Sequence, residues 1–452
     1  MAWRGARMSS AARLLIGTAL AAPGAGGVQA GEWDLYGSLR VRTEMIDGQA
    51  RFPFRSSDSI VALRTILGAR YSSGNLTLAG ELRDSRIYGD VRGSAVTNAD
   101  VNAVEMVGLN ATLALPGALG EDRDLAVSVG RMTIVLGSGR LIDTPNYRNA
   151  TNGFTGVRVE AEASDRLRVN LVWALPEFRQ PFTEEGVLSN AVQWDNLSLG
   201  RQVWGVDFAG QGTDQRLSYG FTYVGFLEKS LPVPLLRQRL LHSFGPRIGL
   251  APEPGRFDAS AEAFLQLGHI RPIDAGPEDN RPVRAWTLHA TAGYSFAGAW
   301  RPRLSLHYDQ ASGERRGENF TRFDRIYGLR VADFGPSGLY AALGRQNIAS
   351  PSVRLGVAPG SRWTAQLNGR ALWADSATDA FSTTNVIDPT GAAGRWAGWQ
   401  VDGRSQLWLV PQKLRWDFNA VWLQKKGLLL EAPNATAGKR TIYLASALTS
   451  FF

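Results

Sequence analysis

Leu414-Arg415-Trp416-Asp417-Phe418-Asn419-Ala420 puts an apolar residue at every second position, with hydrogen-bonding or charged residues between. A period of two is that of a β-strand with one apolar and one polar face. Residues 35–44 repeat it: Leu35, Gly37, Leu39 and Val41 alternate with Tyr36, Ser38, Arg40, Arg42 and Glu44. The pattern returns at 76–83, 157–163, 167–173, 258–267, 286–294 and 303–308. A soluble sandwich would turn the polar face to water. Here the two ends of the chain and the placement of its charge argue the reverse, with the apolar face on lipid and the polar face around a channel.

Residues 1–30 read as a secretory signal to be removed. Arg4, Arg7 and Arg13 form a basic start, residues 14–22 are apolar, and Val28-Gln29-Ala30 has the small-residue pattern of a cleavage site. The apolar run is too short to span a bilayer, and no later stretch approaches the roughly 20 apolar residues of a membrane helix. An exported chain without such a helix is soluble or a barrel. At the other end, Ile442, Leu444, Leu448 and Phe452 share one phase, interrupted by Ser446 and Ser450. A last strand closing on phenylalanine resembles the recognition signal of outer-membrane barrels.

Short turns at 72–75, 164–165 and 410–413 alternate with long polar stretches at 88–100, 142–153, 178–200, 313–326 and 374–394. That is the rim asymmetry of an outer-membrane barrel. At roughly 20–25 residues per strand and connection, residues 31–452 give about 16–20 strands, and an even number favours 18. The expectation is an all-β chain: one transmembrane, antiparallel, up-and-down β-barrel domain over 31–452, with short periplasmic turns and long extracellular loops. Trp173, Trp286, Tyr294, Tyr308, Trp399 and Trp422 fit an interfacial girdle. A closed sheet pairs every backbone group, as lipid demands. An arginine facing lipid at the midplane costs ~2–4 kcal/mol, so the alternate arginines belong in a wet lumen.

The chain has 452 residues, no cysteine, 50 glycines and a net charge of +8 carried by 44 arginines and only five lysines. No disulfide framework, thiolate metal site or cysteine nucleophile is available. Of four histidines, His289 and His307 fall on inward phases of neighbouring strands, without zinc spacing. Gly137-Ser138-Gly139 lacks the strand-to-helix setting of a phosphate loop. No catalytic constellation, metal site, cofactor or nucleic-acid partner is expected.

By phase, Arg40, Arg42, Arg64, Arg158, Arg168, Arg303, Arg404 and Arg415 face the lumen, with the acids Glu44, Glu81, Glu160, Asp258, Glu262 and Asp417 to pair with them. One further region is distinctive. Gly130-Arg131, Gly137-Ser138-Gly139-Arg140-Leu141-Ile142, Tyr147-Arg148-Asn149 and Phe154-Thr155-Gly156-Val157-Arg158 together resemble the signature of the alginate export family of outer-membrane barrels. Phe257-Asp258 with Glu262, Gln266 and Gly268 agrees in order. So do Tyr308, Ala311-Ser312-Gly313-Glu314, Asn319-Phe320 and Phe323, with weaker likeness at 344–347 and 398–402. Thr155, Tyr147 and Gln400 depart from the aspartate, tryptophan and glutamate common at those places.

The resemblance implies an 18-stranded monomeric barrel that conducts an anionic polysaccharide outward through an arginine-rich constriction, with help from a periplasmic partner. It adds Arg131 and Arg140 to the lumen set. Arg131 shares its phase with Val127 and Val129, which face out, so a bulge at Gly130 is expected to turn it inward. The expected partners are an anionic polysaccharide or small acidic solute, outer-membrane lipid and lipopolysaccharide, and the barrel-assembly machinery. The alternatives are a porin taking up small anions or sugar acids and, further off, a barrel enzyme acting on lipid.

Overall fold

The computed structural model describes residues 31–121, 123–229, 238–271 and 280–452. The expected signal at 1–30 lies outside them. Eighteen strands follow in chain order. They are β1 (Glu32–Asp47), β2 (Asp58–Ser73), β3 (Leu76–Tyr88), β4 (Asn102–Leu115), β5 (Leu125–Met132), β6 (Phe154–Ser164), β7 (Leu167–Pro176), β8 (Arg201–Gln211) and β9 (Leu217–Glu228). Then come β10 (Gln238–Leu250), β11 (Arg256–Arg271), β12 (Arg281–Ser295), β13 (Arg303–Ala311), β14 (Ile348–Val357), β15 (Trp363–Trp373), β16 (Trp396–Val410), β17 (Leu414–Lys425) and β18 (Arg440–Phe451). Each pairs antiparallel with the next, and β18 returns to β1 with Val41 opposite Leu448. The sheet is therefore a closed barrel of 18 strands, as the alternation and the connection lengths led one to expect. Short helical turns α1 (Glu184–Leu188), α2 (Val331–Phe334) and α3 (Leu428–Glu431) lie in the connections. Among the described residues no helix is long and apolar enough to cross a membrane.

The facing follows the period. On β1, Leu39, Val41 and Met45 are 47%, 42% and 59% exposed, while Arg40, Arg42 and Glu44 between them are 5% or less. The outer wall is apolar and the inner wall polar. The lipid-side tryptophans bond their indole N–H groups locally: Trp416 Nε1 donates to Ser446 Oγ at 2.9 Å and Trp363 Nε1 to Ser405 Oγ at 2.9 Å. Ser446, which breaks the apolar phase of the last strand, is there an acceptor for Trp416. At the seam the Gly37 and Phe452 backbones exchange hydrogen bonds of 2.8 and 3.1 Å. A Cβ on Gly37 would lie 2.4 Å from the Phe452 ring, so only glycine allows this approach.

Turns such as 74–75 and 411–413 join strands on one rim, and long loops join them on the other. Two loops are longer than their polar stretches suggest. Residues 133–153 connect β5 to β6, and residues 312–347 connect β13 to β14. Their extra length is apolar: Ile134, Leu136, Phe334, Leu339, Tyr340 and Leu343 are all 1% exposed or less. That is the composition of a segment packed inside the barrel.

Candidate functional site

On the wall, arginines and acids two residues apart share a face of one strand. Arg42–Glu44, Arg83–Glu81 and Arg158–Glu160 meet at 2.6 Å and Arg415–Asp417 at 2.8 Å. Across strands, Arg303 Nε donates to Asp258 at 2.9 Å and Arg168 approaches Glu162 at 3.3 Å. Arg201 and Arg239 share Glu228, and Arg247 reaches Asp207 at 2.6 Å. These last three arginines had no place in the sequence reading. Arg404 makes no ion pair among the described residues, and its Nε is buried without a partner.

The register sets Arg40 directly opposite Arg64 on the inner face. Like charges so placed repel. Carbonyl groups of the 133–153 loop offset this. Asn146 O accepts from Arg40 Nη1 at 2.8 Å and from Arg64 Nη1 at 3.0 Å. Arg148 O accepts from Arg40 Nη2 at 3.0 Å and from Arg64 Nη1 at 3.3 Å. Arg42 donates to Tyr147 O and lies 4.6 Å from the Tyr147 ring centroid. Asn149, fully buried, donates from Nδ2 to Leu63 O at 2.8 Å and Arg86 O at 3.1 Å.

The same loop crosses to the far wall. Gly137 has φ +61°, and a Cβ there would lie 2.3 Å from Thr222 Oγ1 on β9. Arg140 reaches Glu262 on β11 at 2.6 Å and Asp333 of α2 at 3.1 Å. Burial disfavours the Arg140 charge, but Asp333 and Glu262 outweigh it and hold its pKa above the usual value. The 312–347 loop runs alongside: Leu329 N donates to Gly139 O at 2.9 Å, and Ile142 bridges Tyr327. It also touches the near wall, where Leu339 N donates to Glu44 Oε2 at 2.9 Å and Tyr340 OH to Gln400 Oε1. Together the two loops form a plug bonded to both sides of the lumen.

The bulge expected at Gly130 is absent. Leu109 pairs with Arg131, and Arg131 with Thr155, without a register shift. Gly130 instead takes φ +124°, and a Cβ there would lie 2.4 Å from Leu109 O. Arg131 sits at the loop end of its strand, where it reaches Glu105 at 2.5 Å and also pairs with Glu177. Thr155 Oγ1 donates to the same Glu177 at 3.1 Å, so this departure from the family pattern keeps a polar role. Phe154 packs edge-on against Tyr327, and Gly156 lies so close to Trp173 O that a Cβ would be at 2.1 Å.

Arg51, Arg148, Arg179 and Arg325 are among the loop arginines that make no ion pair with a described residue. Burial pushes each down to about 10. Repulsion among them adds to it: Arg325 acts on Arg148, Arg148 on Arg51 and Arg179, and Arg51 on Arg325. Arg325 Nη1 and Arg51 Nε are buried without a partner. Arginines without an ion pair therefore lie in the loops as well as at wall positions such as Arg404. Of Arg51, Arg148, Arg179 and Arg325, only Arg148 was legible beforehand, through its motif. The other three sit in loops, where no period assigns a face.

Two carboxylate groups come close enough to suggest a cation site. His289, Asp309 and Asp333 bring ligand atoms within 4.8 Å of one another, as do Glu105, Glu177 and Asp195. In each an arginine already supplies the positive charge: Arg140 and Arg345 at Asp333, and Arg131 at Glu105 and Glu177. His307 bonds Ser305 Oγ at 2.9 Å.

The alginate export family model matches this sequence over residues 34–442. The chain belongs to the alginate export family. No curated protein sequence matches it. Among solved structures it resembles OccK8 (OprE) of Pseudomonas aeruginosa, at 10% identity and TM-score 0.59 over 95% of this chain and 99% of that one. A BenF-like porin from Pseudomonas fluorescens Pf-5 stands at 11% and 0.59, over 93% and 99%. OccK2 (OpdF) of P. aeruginosa, solved in complex with glucuronate, stands at 12% and 0.55, over 93% and 96%. These likenesses concern the fold. Family and fold together make this alginate export family member an outer-membrane channel.

Proposed function

We propose that the channel passes an anionic polysaccharide of the uronate type outward across the outer membrane. The observation that carries this reading is the plug: loops bonded to both walls of the lumen hold arginines that make no ion pair among the described residues. A uronate polymer presents one carboxylate per sugar. Arginines such as Arg148, Arg325 and Arg51 offer such a chain successive, similar sites. Attraction must suffice for capture and still permit release, and several equivalent sites allow handover. The low-dielectric walls focus the field and draw anions inward. The neutralised wall pairs fit a structural role, keeping the inner face polar without trapping the polymer. Assembly machinery for the barrel and a periplasmic export partner belong to the same reading.

Planar-bilayer conductance tests it. Polymannuronate is expected to block the current, and neutral dextran of the same length is not. If polymannuronate leaves the current unchanged while chloride passes freely, export of an acidic polymer is wrong. Uptake of small sugar acids is the second reading, favoured by the likeness to a porin solved with glucuronate. It requires monomeric glucuronate to carry current where the polymer has no effect.

A further inference from the structure

A cavity of about 100 Å³ lies among the loops, between residues 89–101, 133–153, 177–200 and 312–347 and the start of β8. Unpartnered polar groups converge on it. Arg179, which lines it, uses Nη1 to donate to Thr151 O at 3.1 Å and Asn152 Oδ1 at 3.0 Å. Its Nε and Nη2 have no partner among the described residues, nor has the Tyr327 hydroxyl. Glu177, only 5% exposed, spends Oε1 on Arg131 and Thr155, while its Oε2 is buried with no donor. Phe178 closes one side, held with the Arg201 guanidinium 3.5 Å from its ring centroid.

The chemistry of these groups selects a ligand. Two free guanidinium N–H groups suit a carboxylate. A buried carboxylate oxygen without a donor wants an O–H. A simple carboxylate would leave Glu177 unsatisfied and face its charge. A neutral sugar would leave Arg179 unsatisfied. A ligand with a carboxylate and a neighbouring hydroxyl satisfies both. The volume is below the ~150 Å³ that holds a benzene-sized molecule, so the carboxyl end enters and the rest of a sugar ring stays outside.

We propose that this cavity is a binding site for the carboxyl end of a hydroxy acid, such as one uronate unit, apart from the lumen arginines that conduct it. Arg179 grips the carboxylate, Glu177 Oε2 accepts from the adjacent hydroxyl, and Tyr327 OH adds a third bond. The ligand's identity as a uronate rests on the channel reading above. The site itself rests on the unpartnered groups.

The test is calorimetric titration of the full chain in detergent micelles with sodium glucuronate, sodium acetate and glucose. Glucuronate is expected to bind saturably, with acetate and glucose about tenfold weaker or more. Arg179→Gln should weaken glucuronate about tenfold and Tyr327→Phe several-fold. Arg179 also ties Thr151 and Asn152, so Tyr327→Phe is the cleaner variant: it removes one hydroxyl and keeps the ring on Phe154. Equal binding of acetate and glucuronate, or unchanged affinity in both variants, overturns the site. Polymannuronate block measured on the same proteins separates the two ideas. Block in the wild type without saturable glucuronate binding removes the cavity and leaves the channel reading. Glucuronate binding without block does the opposite.

Discussion

The arginines of the wall and those of the plug are the same residue in opposite circumstances. Arg42, Arg158 and Arg415 each find an acid two positions along their own strand. Arg51, Arg148, Arg179 and Arg325 make no ion pair among the described residues; carbonyl groups and rings meet them, and acids such as Asp100 act on them only at longer range. Strand geometry makes the first arrangement nearly automatic, because alternate side chains share a face. Loops have no such rule, so their charge is left open to something else. An arginine count alone would have treated both sets as one binding surface.

The sharpest way to break this contrast is to strip a wall arginine of the acid two positions along its strand. Glu44→Gln leaves the buried Arg42 without its acid and weakens the bonds Glu44 accepts from Leu339 N and Tyr443 OH. A loss of ~3–5 kcal/mol is expected, read as a lower denaturant midpoint for refolding into lipid vesicles. Stability equal to wild type would mean the wall pairs are not structural. The next effect falls on the plug. Arg148→Ala with Arg325→Ala should cut polymannuronate block about tenfold, ~1.4 kcal/mol, while stability stays close to wild type. Unchanged block would place the anion path elsewhere.

Arg64→Ala is a milder probe. It relieves the repulsion with Arg40 but removes two bonds to the loop carbonyl groups. Open-channel noise and conductance should rise as the loop loosens, with little change in unfolding. At the low end, Arg415→Gln removes a pair whose arginine side chain is 29% exposed. Its partner Asp417 is buried and keeps the bond from Gln406, and Arg415 also covers the Trp408 and Phe451 rings, so a loss of about 1 kcal/mol in stability is expected with block unchanged.

A pH prediction follows from Asp195. Burial, then the nearby Glu105, pushes its pKa up to about 7. A carboxyl raised in the folded state favours folding most when protonated, and that advantage is lost as pH rises from its ordinary value through about 7. Protection factors of the amides of residues 177–200, corrected for the intrinsic pH dependence of exchange, should therefore be higher at pH 5 than at pH 8. The opposite order would show that Asp195 is charged in place.

The parts that could be read in advance are those governed by a period. Leu39 and Arg40, or Trp416 and Asp417, declare their faces by alternation, and Gly74 and Pro411 mark turns. Arg131 misled because phase was applied at a strand end, where the side chain can bend past the rim to Glu105 and Glu177 without any bulge. The plug could not be read, since Arg140 meets an acid 122 residues away and Arg40 meets carbonyl groups 106 and 108 residues away. Nothing local encodes such partners. Leu339 and Tyr340 are buried against the inner wall, which nothing in their local sequence announces.

The plug also bears on the outline of the barrel. A ring of 18 strands is a thin hoop, and the sideways pressure of a membrane can squash a hoop toward an oval. The 133–153 loop is fastened at Arg40 and Arg64 on one side and at Glu262, on a strand nearly half the circumference away, on the other. It works as a spoke. Strand number and stagger set the width of the bore, and the spoke adds a few bonds across it that resist flattening.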